Sequence, residues 1–526
     1  MQTSIWKTRN SSRCLIERNM IVPDPVEWKS FNRKSSQPEG FGKDEPDGTC
    51  CRKGASFPSF KPQIWPILKS EQAPPDSRAT CVRHSVIGTI HFRSGLPRGR
   101  RNDCFASFSF CLEFLQKVLA MLTIATAFER LLATVTPLPS HSNSLEDSLG
   151  LTLSVDVAAM EDSPPFDKSL MDGYAVRSVD LVDGSASLTV VDQVTAGMVS
   201  ATAVGPGQAI QIMTGAPIPS GADLVIKVEE TVRDGDQVRV TTRATAAGAN
   251  LLRRGTSVRA RTTVLQAGTK LNGARIGALA ELGCAAVQVH RRPTVAVLAT
   301  GDELVDVDLT PGPGQIRNSN QAMLVAQIQA TGANAFPLGI ARDNRDELRA
   351  KISLGLKMDA LVLSGGVSAG TLDLVPSELA AAGVHEVFHK VEMKPGKPVW
   401  FGHRGASPAT RSAHGCYVFG LPGNPVSSLV CCELFVRTAI RRMMGEPDAM
   451  PQSIPAHLEH DHAARADRPT YHPARLTWTS TGPHVSLVPW HGSADLCGTV
   501  AANAMAFLSG EAREYSAGSI LETYAW

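Results

Sequence analysis

The chain lacks the short motifs that announce the commonest ligand classes. It has no GxxxxGK[ST] phosphate loop, no complete GxGxxG fingerprint and no CxxC pair. A P-loop nucleotidase, a fingerprinted dinucleotide site and a CxxC-type metal or redox site are therefore excluded as readings. Cysteine forms no framework either. Of eleven cysteines, six lie in the first 120 residues, Cys50 and Cys51 are adjacent, and none has metal-ligand spacing. Free thiols without a disulfide scaffold suit a reducing cytoplasm. There is no uninterrupted hydrophobic run of membrane length. The most apolar stretch, 105–127, follows Arg98, Arg100 and Arg101, is broken by Glu113 and Lys117, and begins more than a hundred residues into the chain. A signal peptide or membrane span is not expected there. Nor is there a strong charge of one sign: the formal net charge of 526 residues is +2. A soluble protein with neither membrane nor nucleic acid as partner follows.

That small net charge hides a division. Residues 1–120 carry 19 Lys and Arg against 11 Asp and Glu, and the remainder carries 33 against 39. The first 120 residues are rich in Pro, Ser, Arg and Cys and show no sustained helical or strand period. They read as a disordered or non-native extension rather than a nucleic-acid-binding arm. Met121 opens an amphipathic pattern, with Ile124, Phe128, Leu131 and Leu132 on one face. A start at Met121 would give 406 residues.

Beyond it the pattern predicts several bodies. Residues 121–157 and 255–292 form a discontinuous helical or linker domain around a β domain at 158–254. There Val, Ile and Thr alternate with polar residues, and Asp234-Gly235 marks a hairpin. Residues 293–447 alternate strand and helix, which argues for a parallel sheet covered on both faces. Residues 448–526 form a separate strand-rich domain. The fold class is α/β plus β.

The α/β segment centres on Ala360–Gly370, ALVLSGGVSAG, a buried strand ending in a glycine turn. Open α/β sheets bind ligands at such carboxyl ends, and glycine lets a ligand approach backbone N–H groups. The loops expected on the same edge carry Gly301-Asp302-Glu303, Arg342-Asp343, Ser364-Gly365-Gly366, Asp373, Lys394-Pro395-Gly396-Lys397-Pro398 and Pro422-Gly423-Asn424-Pro425. Carboxylates with phosphate oxygens hold Mg²⁺, while lysines and backbone N–H groups bind oxyanions. The edge suits a phosphorylated ligand and a divalent metal. One motif points elsewhere. His385-Glu386-Val387-Phe388-His389 matches HExxH, which binds zinc only on a helix. Its Val- and Phe-rich setting before Pro-Gly reads as a strand, where the histidines stand about 13 Å apart.

Six segments, in order, resemble the molybdopterin molybdenumtransferase family: SPPFDKSLMDGYAVR, GQAIQIMTGAPIPSGAD, VAVLATGDEL, LSGGVSAG, VEMKPGKP and GLPGNPVSS. The resemblance covers about 121–526. It implies an elongated, usually dimeric subunit of four domains that inserts molybdenum from molybdate into adenylylated molybdopterin, releasing AMP, in the cytoplasm. It implies Mg²⁺ as cofactor, and the upstream adenylyltransferase and molybdoenzymes as further partners. Carried over by motif, Asp172, Thr214, Glu303 and Asp343 are catalytic candidates, with Glu303 and Asp343 as the Mg²⁺ ligands. Ser364, Gly365, Gly366, Asp373, Lys390, Lys394, Lys397, Pro422 and Pro425 are substrate-binding candidates, the glycines supplying backbone donors. The chain departs from the family where a pattern like GENxRxxGEDI is usual. Ala249 replaces the first glutamate, Leu252 the arginine, and Thr256-Ser257 the Glu-Asp pair, leaving Arg253 or Arg254 as substitutes if the loop shifts. Two alternatives stay open: a molybdopterin adenylyltransferase, and a non-catalytic molybdopterin-binding paralogue.

Overall fold

The computed structural model describes residues 121–367, 374–406, 414–464 and 468–526. The first 120 residues and Asp373 lie outside the described residues.

Helix α1, Ile124–Thr134, opens where the periodicity places it. Thr123 caps it, its hydroxyl accepting from the Thr126 amide at 3.2 Å. Ala127, Phe128 and Leu131 are buried, and Phe128 lies against Phe435 with ring centroids 5.1 Å apart. The chain then pairs with its own return. Ser140–Ser144 runs antiparallel to Ala286–His290, and Val157–Ala158 to Thr263–Leu265. The strand Ser140–Ser144 is not legible locally, because SHSNS has no strand-like composition.

Between these flanks lies a six-stranded sheet: β1 Gly173–Val176, β2 Ser185–Val194, β3 Gln208–Ile212, β4 Leu224–Lys227, β5 Thr231–Asp234 and β6 Gln237–Thr241. The order is β4-β1-β3-β2-β6-β5. Strand β6 alternates exposed Gln237, Arg239 and Thr241 with buried Val238 and Val240, the period-2 signature of a half-buried strand. Asp234-Gly235 turns β5 into β6. Helix α2, Gly273–Glu281, follows, capped by Asn272.

The α/β sheet holds β7 Thr294–Thr300, β8 Asn334–Ala341, β9 Ala360–Ser364, β10 His385–His389, β11 Trp400–Arg404 and β12 Cys416–Leu421. Its order is β8-β7-β9-β12-β11-β10. The first four strands are parallel. The near-continuous apolar runs of β7, β9 and β12 are explained by burial on both faces, while β8, at the edge of the sheet, is half-exposed. Val295, Val297, Ala360 and Val362 face one cluster with Leu324 and Ile328 of α3, Ser319–Ala330. Ala296, Leu298, Leu361 and Leu363 face another, with Leu348 and Ile352 of α4, Arg345–Gly355, and Val375 and Leu379 of α5, Val375–Ala381. An all-parallel sheet is not what forms, however. Strands β10 and β11 are an antiparallel pair at the edge, because the short 390–399 loop joins them where a parallel crossover needs a dozen residues or more. His385–His389 is thus a strand.

After β12 come α6, Pro425–Cys431, a single π-helical turn over Cys432–Val436, and α7, Arg437–Met443. The remaining chain closes a five-stranded barrel: β13 Ile454–Leu458, β14 Thr470–Thr479, β15 Gly482–Leu487, β16 Ala504–Leu508 and β17 Ile520–Ala525. Among the described residues no helix is long and apolar enough to cross a membrane.

Candidate functional site

Parallel strands deliver their following loops to one edge, and four loops meet there for that reason. The turn after β7 is Gly301–Leu304, and the turn after β8 carries Arg342 and Asp343. Thr300 and Ala341 are register partners, so these two loops are neighbours. Arg342 Nη1 donates to the carbonyls of Asp302 at 2.9 Å and Leu304 at 2.8 Å, with Gly301 at 3.4 Å. The Asp343 amide donates to Asp302 Oδ1 at 3.1 Å. Glu303 folds its carboxylate over Gly301: a Cβ at Gly301 would lie 2.4 Å from Glu303 Oε2. Asp302, Glu303 and Asp343 are all solvent-exposed.

The next two loops flank Asn320 at the start of α3. Its Nδ2 donates to Ser364 Oγ at 2.7 Å and to the Gly423 carbonyl at 2.8 Å, tying the β9 turn to the β12 turn. Gly365 and Gly366 take φ of +97° and +65°. A Cβ at Gly365 would lie 2.6 Å from the Thr300 carbonyl oxygen, so only glycine fits both the space and the backbone. One expectation needs correcting. The Gly365 N–H donates to the Leu421 carbonyl at 3.0 Å, closing the turn against β12, so it is not offered to a ligand. Pro425 opens α6, whose first turn receives Ser493: the Val426 amide donates to the Ser493 carbonyl at 3.0 Å, and Asn424 Nδ2 to its hydroxyl at 2.9 Å. The Pro422 carbonyl accepts from Ser428 Oγ.

The lysine loop reaches the same edge because β10 runs parallel to β12. Lys390 has φ +68° and its amide donates to the Val399 carbonyl at 3.0 Å. Lys394 is pinned between β14 and its approach, its amide donating to Pro469 and its carbonyl accepting from Tyr471. Lys397 is exposed.

Asp172 and Thr214 come together on the other sheet. Asp172 Oδ1 accepts from both the Thr214 amide and hydroxyl, each at 2.7 Å. Those two donors, the amide foremost, hold the Asp172 carboxyl below its ordinary value. The pair bonds to itself and makes no hydrogen bond to the α/β edge within the described residues.

Among the described residues no three His, Cys, Asp or Glu side chains converge closely enough to hold an ion. Two exposed carboxylates on adjacent loops do fit Mg²⁺, which keeps several waters and takes one or two carboxylates alongside substrate phosphates. Glu303 and Asp343 would be those ligands.

Residues 122–283 match the family described as MoeA N-terminal region (domain I and II), and residues 296–442 a probable molybdopterin binding domain. A molybdopterin molybdenumtransferase of Staphylococcus aureus is 34% identical over 407 residues, covering 76% of this chain and 94% of the relative. The chain belongs to the molybdopterin molybdenumtransferase family. A second relative of that name, from Staphylococcus epidermidis, is 32% identical over 406 residues, with 76% and 94% covered. The crystal structure of the MoeA protein of Pyrococcus horikoshii OT3 superposes with a TM-score of 0.65 at 25% identity, covering 77% of this chain and all of that one.

Against the molybdenumtransferase pattern, the altered 249–257 loop is fully committed. Arg253 Nη1 pairs with Asp167 Oδ2, and Arg254 Nε with Asp162 Oδ2, each at 2.6 Å. The Arg254 amide also donates to Asp167, and the Ala260 amide to Asp162. These amides, then the guanidinium groups, hold both carboxyls below the usual range. Leu251 and Leu252 pair with Ser169 and Lys168, so the loop straps the segment that leads into Asp172. Each arginine is engaged in an exposed ion pair rather than left as a spare cation. No local sequence pattern points to Asn320, Ser493 or Asp167 as site residues, since their meaning lies in contacts remote in sequence. For Asn320 the nearest signal is its place in the first turn of a predicted helix.

Proposed function

We propose that the protein transfers molybdenum from molybdate to adenylylated molybdopterin, releasing AMP. One observation carries the reading. A chain one-third identical to molybdenumtransferases has exposed carboxylates, three lysines and tight glycine turns on a single edge of a mixed, mostly parallel sheet. The lysines at 390, 394 and 397 bind and orient the oxyanions, molybdate and substrate phosphate. The turns at 364–366 and 422–425 shape the pocket floor, and Asp172, ionised and locked to Thr214, bears on the reacting phosphoanhydride. Mg²⁺ at Glu303 and Asp343 would neutralise charge developing on the phosphate oxygens. Catalysis rests on positioning and fixed charge more than on covalent chemistry.

The assay is molybdate-dependent AMP release from adenylylated molybdopterin with Mg²⁺ present. AMP release that requires molybdate supports the transferase. ATP consumption with unmodified molybdopterin would replace it by the adenylyltransferase, and binding with neither reaction would leave a non-catalytic paralogue. The reading also places the protein in the cytoplasm.

A second copy completes the site in this reading, since Asp172 and Thr214 bond to each other and not to the edge that holds Glu303. The expected result is that Asp172→Asn and Glu303→Gln chains, each inactive alone, recover about a quarter to a half of wild-type activity when mixed as heterodimers. No recovery in verified heterodimers would show that each chain builds its own complete site.

A further inference from the structure

We infer that Arg342 is a positioning residue for Glu303, acting through the backbone of the turn that carries it. The inference rests on the proposed role of Glu303. It starts from an unusual use of a guanidinium. Arg342 follows β8 at the candidate edge, half-buried, and its guanidinium bonds seen among the described residues go to carbonyls rather than to carboxylates. Nη1 reaches back to three carbonyls of one turn, those of Gly301, Asp302 and Leu304. Those carbonyls bracket Glu303 on both sides. The Glu303 carbonyl is held separately, by the Ile316 amide at 2.8 Å. The residue's backbone is thus fixed at four consecutive carbonyls, while its side chain stays exposed.

The geometry explains why a fixed turn matters. The Glu303 carboxylate lies against the Cα of Gly301, whose φ is +144°, a conformation that L side chains rarely adopt. Only the two-residue ladder of Leu304–Val305 with Ile316–Arg317 holds the far end of this turn, and carbonyls converging on one point repel unless a cation or donor sits between them. Arg342 supplies both, and a charged donor makes the stronger hydrogen bonds. The same residue orders the neighbouring loop, because the Asp343 amide that follows it binds Asp302 Oδ1 at 3.1 Å. One side chain therefore registers the two carboxylate-bearing loops against each other. A displacement of about 1 Å in a reacting group costs on the order of 10²-fold in rate.

The test is a double-mutant cycle on molybdate-dependent AMP release, using Arg342→Met, Glu303→Gln and the pair together. Arg342→Met is expected to lower kcat about 30-fold, leave KM for adenylylated molybdopterin within about threefold, and leave the melting temperature within a few degrees. In the Glu303→Gln background the same change is expected to cost less than threefold, since the group it positions is already disabled. Arg342→Lys, which keeps the cation but not the planar reach, is expected to fall between, at about fivefold. It carries the same cycle if the methionine variant folds poorly. Fully multiplicative losses would overturn the inference, as would a loss confined to KM. If Glu303→Gln were itself fully active, the reading of Glu303 would fail first. If Glu303→Gln lost activity while both Arg342 variants kept theirs, only the positioning role would fail.

Discussion

Asp172→Asn is expected to lower kcat for molybdate-dependent AMP release by about 10²–10³-fold, with KM little changed. The substitution is a clean probe of charge. Both bonds from Thr214 end on Oδ1, and an amide oxygen accepts them as a carboxylate does. Local geometry therefore survives and only the negative charge goes. Thr214→Val removes the hydroxyl donor and leaves the amide, so its expected loss is smaller, about tenfold. The pH dependence follows from the direction of the Asp172 shift. Its folded value lies below the unfolded one, so the ionised form is the one that folding favours. That contribution is present above the ordinary carboxylate value of about 4 and fades only as pH falls through the lower folded value. Between pH 5 and 8 Asp172 stays ionised, and the Asn variant's profile should run parallel to wild type, displaced downward. A change of shape within that window would mean that Asp172 titrates there and that its setting differs from the one described.

Gly173→Ala should be among the most damaging small substitutions for stability, at about 3 kcal/mol, the upper end of the ordinary overpacking range. Strand β1 is the second strand of its sheet, between β4 and β3. A Cβ at position 173 would lie 1.8 Å from the Ile226 carbonyl oxygen and 3.1 Å from Lys227 Cα, all backbone. No rotamer can relieve that contact, so β1 and β4 must part. The Val228 amide, which donates to the Asp172 carbonyl at 3.0 Å, would move with them, and activity should fall along with stability. Gly277→Ala supplies the contrast. Gly277 lies exposed within α2 with open space around it, and alanine there should stabilise by about 1 kcal/mol. Thermal unfolding of the two variants checks the pair: equal midpoints would contradict the strand packing described here.

Much of this protein is legible without its tertiary structure, and the reasons are local. PTVAVLAT and ALVLS are short apolar runs cut off by glycine turns, so they announce buried strands and the edge at which those strands end. Asn318-Ser319 ahead of an apolar helix pattern announces a cap at one of the two, and the Asn318 side chain forms it with the Gln321 amide. The zinc-like motif could be set aside because its own side chains favour a strand. The ligand class followed from the same turns, read together with the family-like segments around them.

The sequence by itself determined most of the elements, the edge at which the candidate residues meet, and the family the chain belongs to. Only the tertiary structure decided how those residues are spent. Gly365 looks like a donor until its N–H is found closed against Leu421. Arg253 and Arg254 look like spare cations until they are found bound to Asp167 and Asp162, nearly a hundred residues away. Arg342 looks like one more charge on a polar loop until its guanidinium is found among three carbonyls of the preceding strand's turn. Strand and helix signals arise within a few residues, where side-chain period and backbone freedom act. The partner of a hydrogen-bonding group is set by register and packing across the whole fold, which no local pattern encodes.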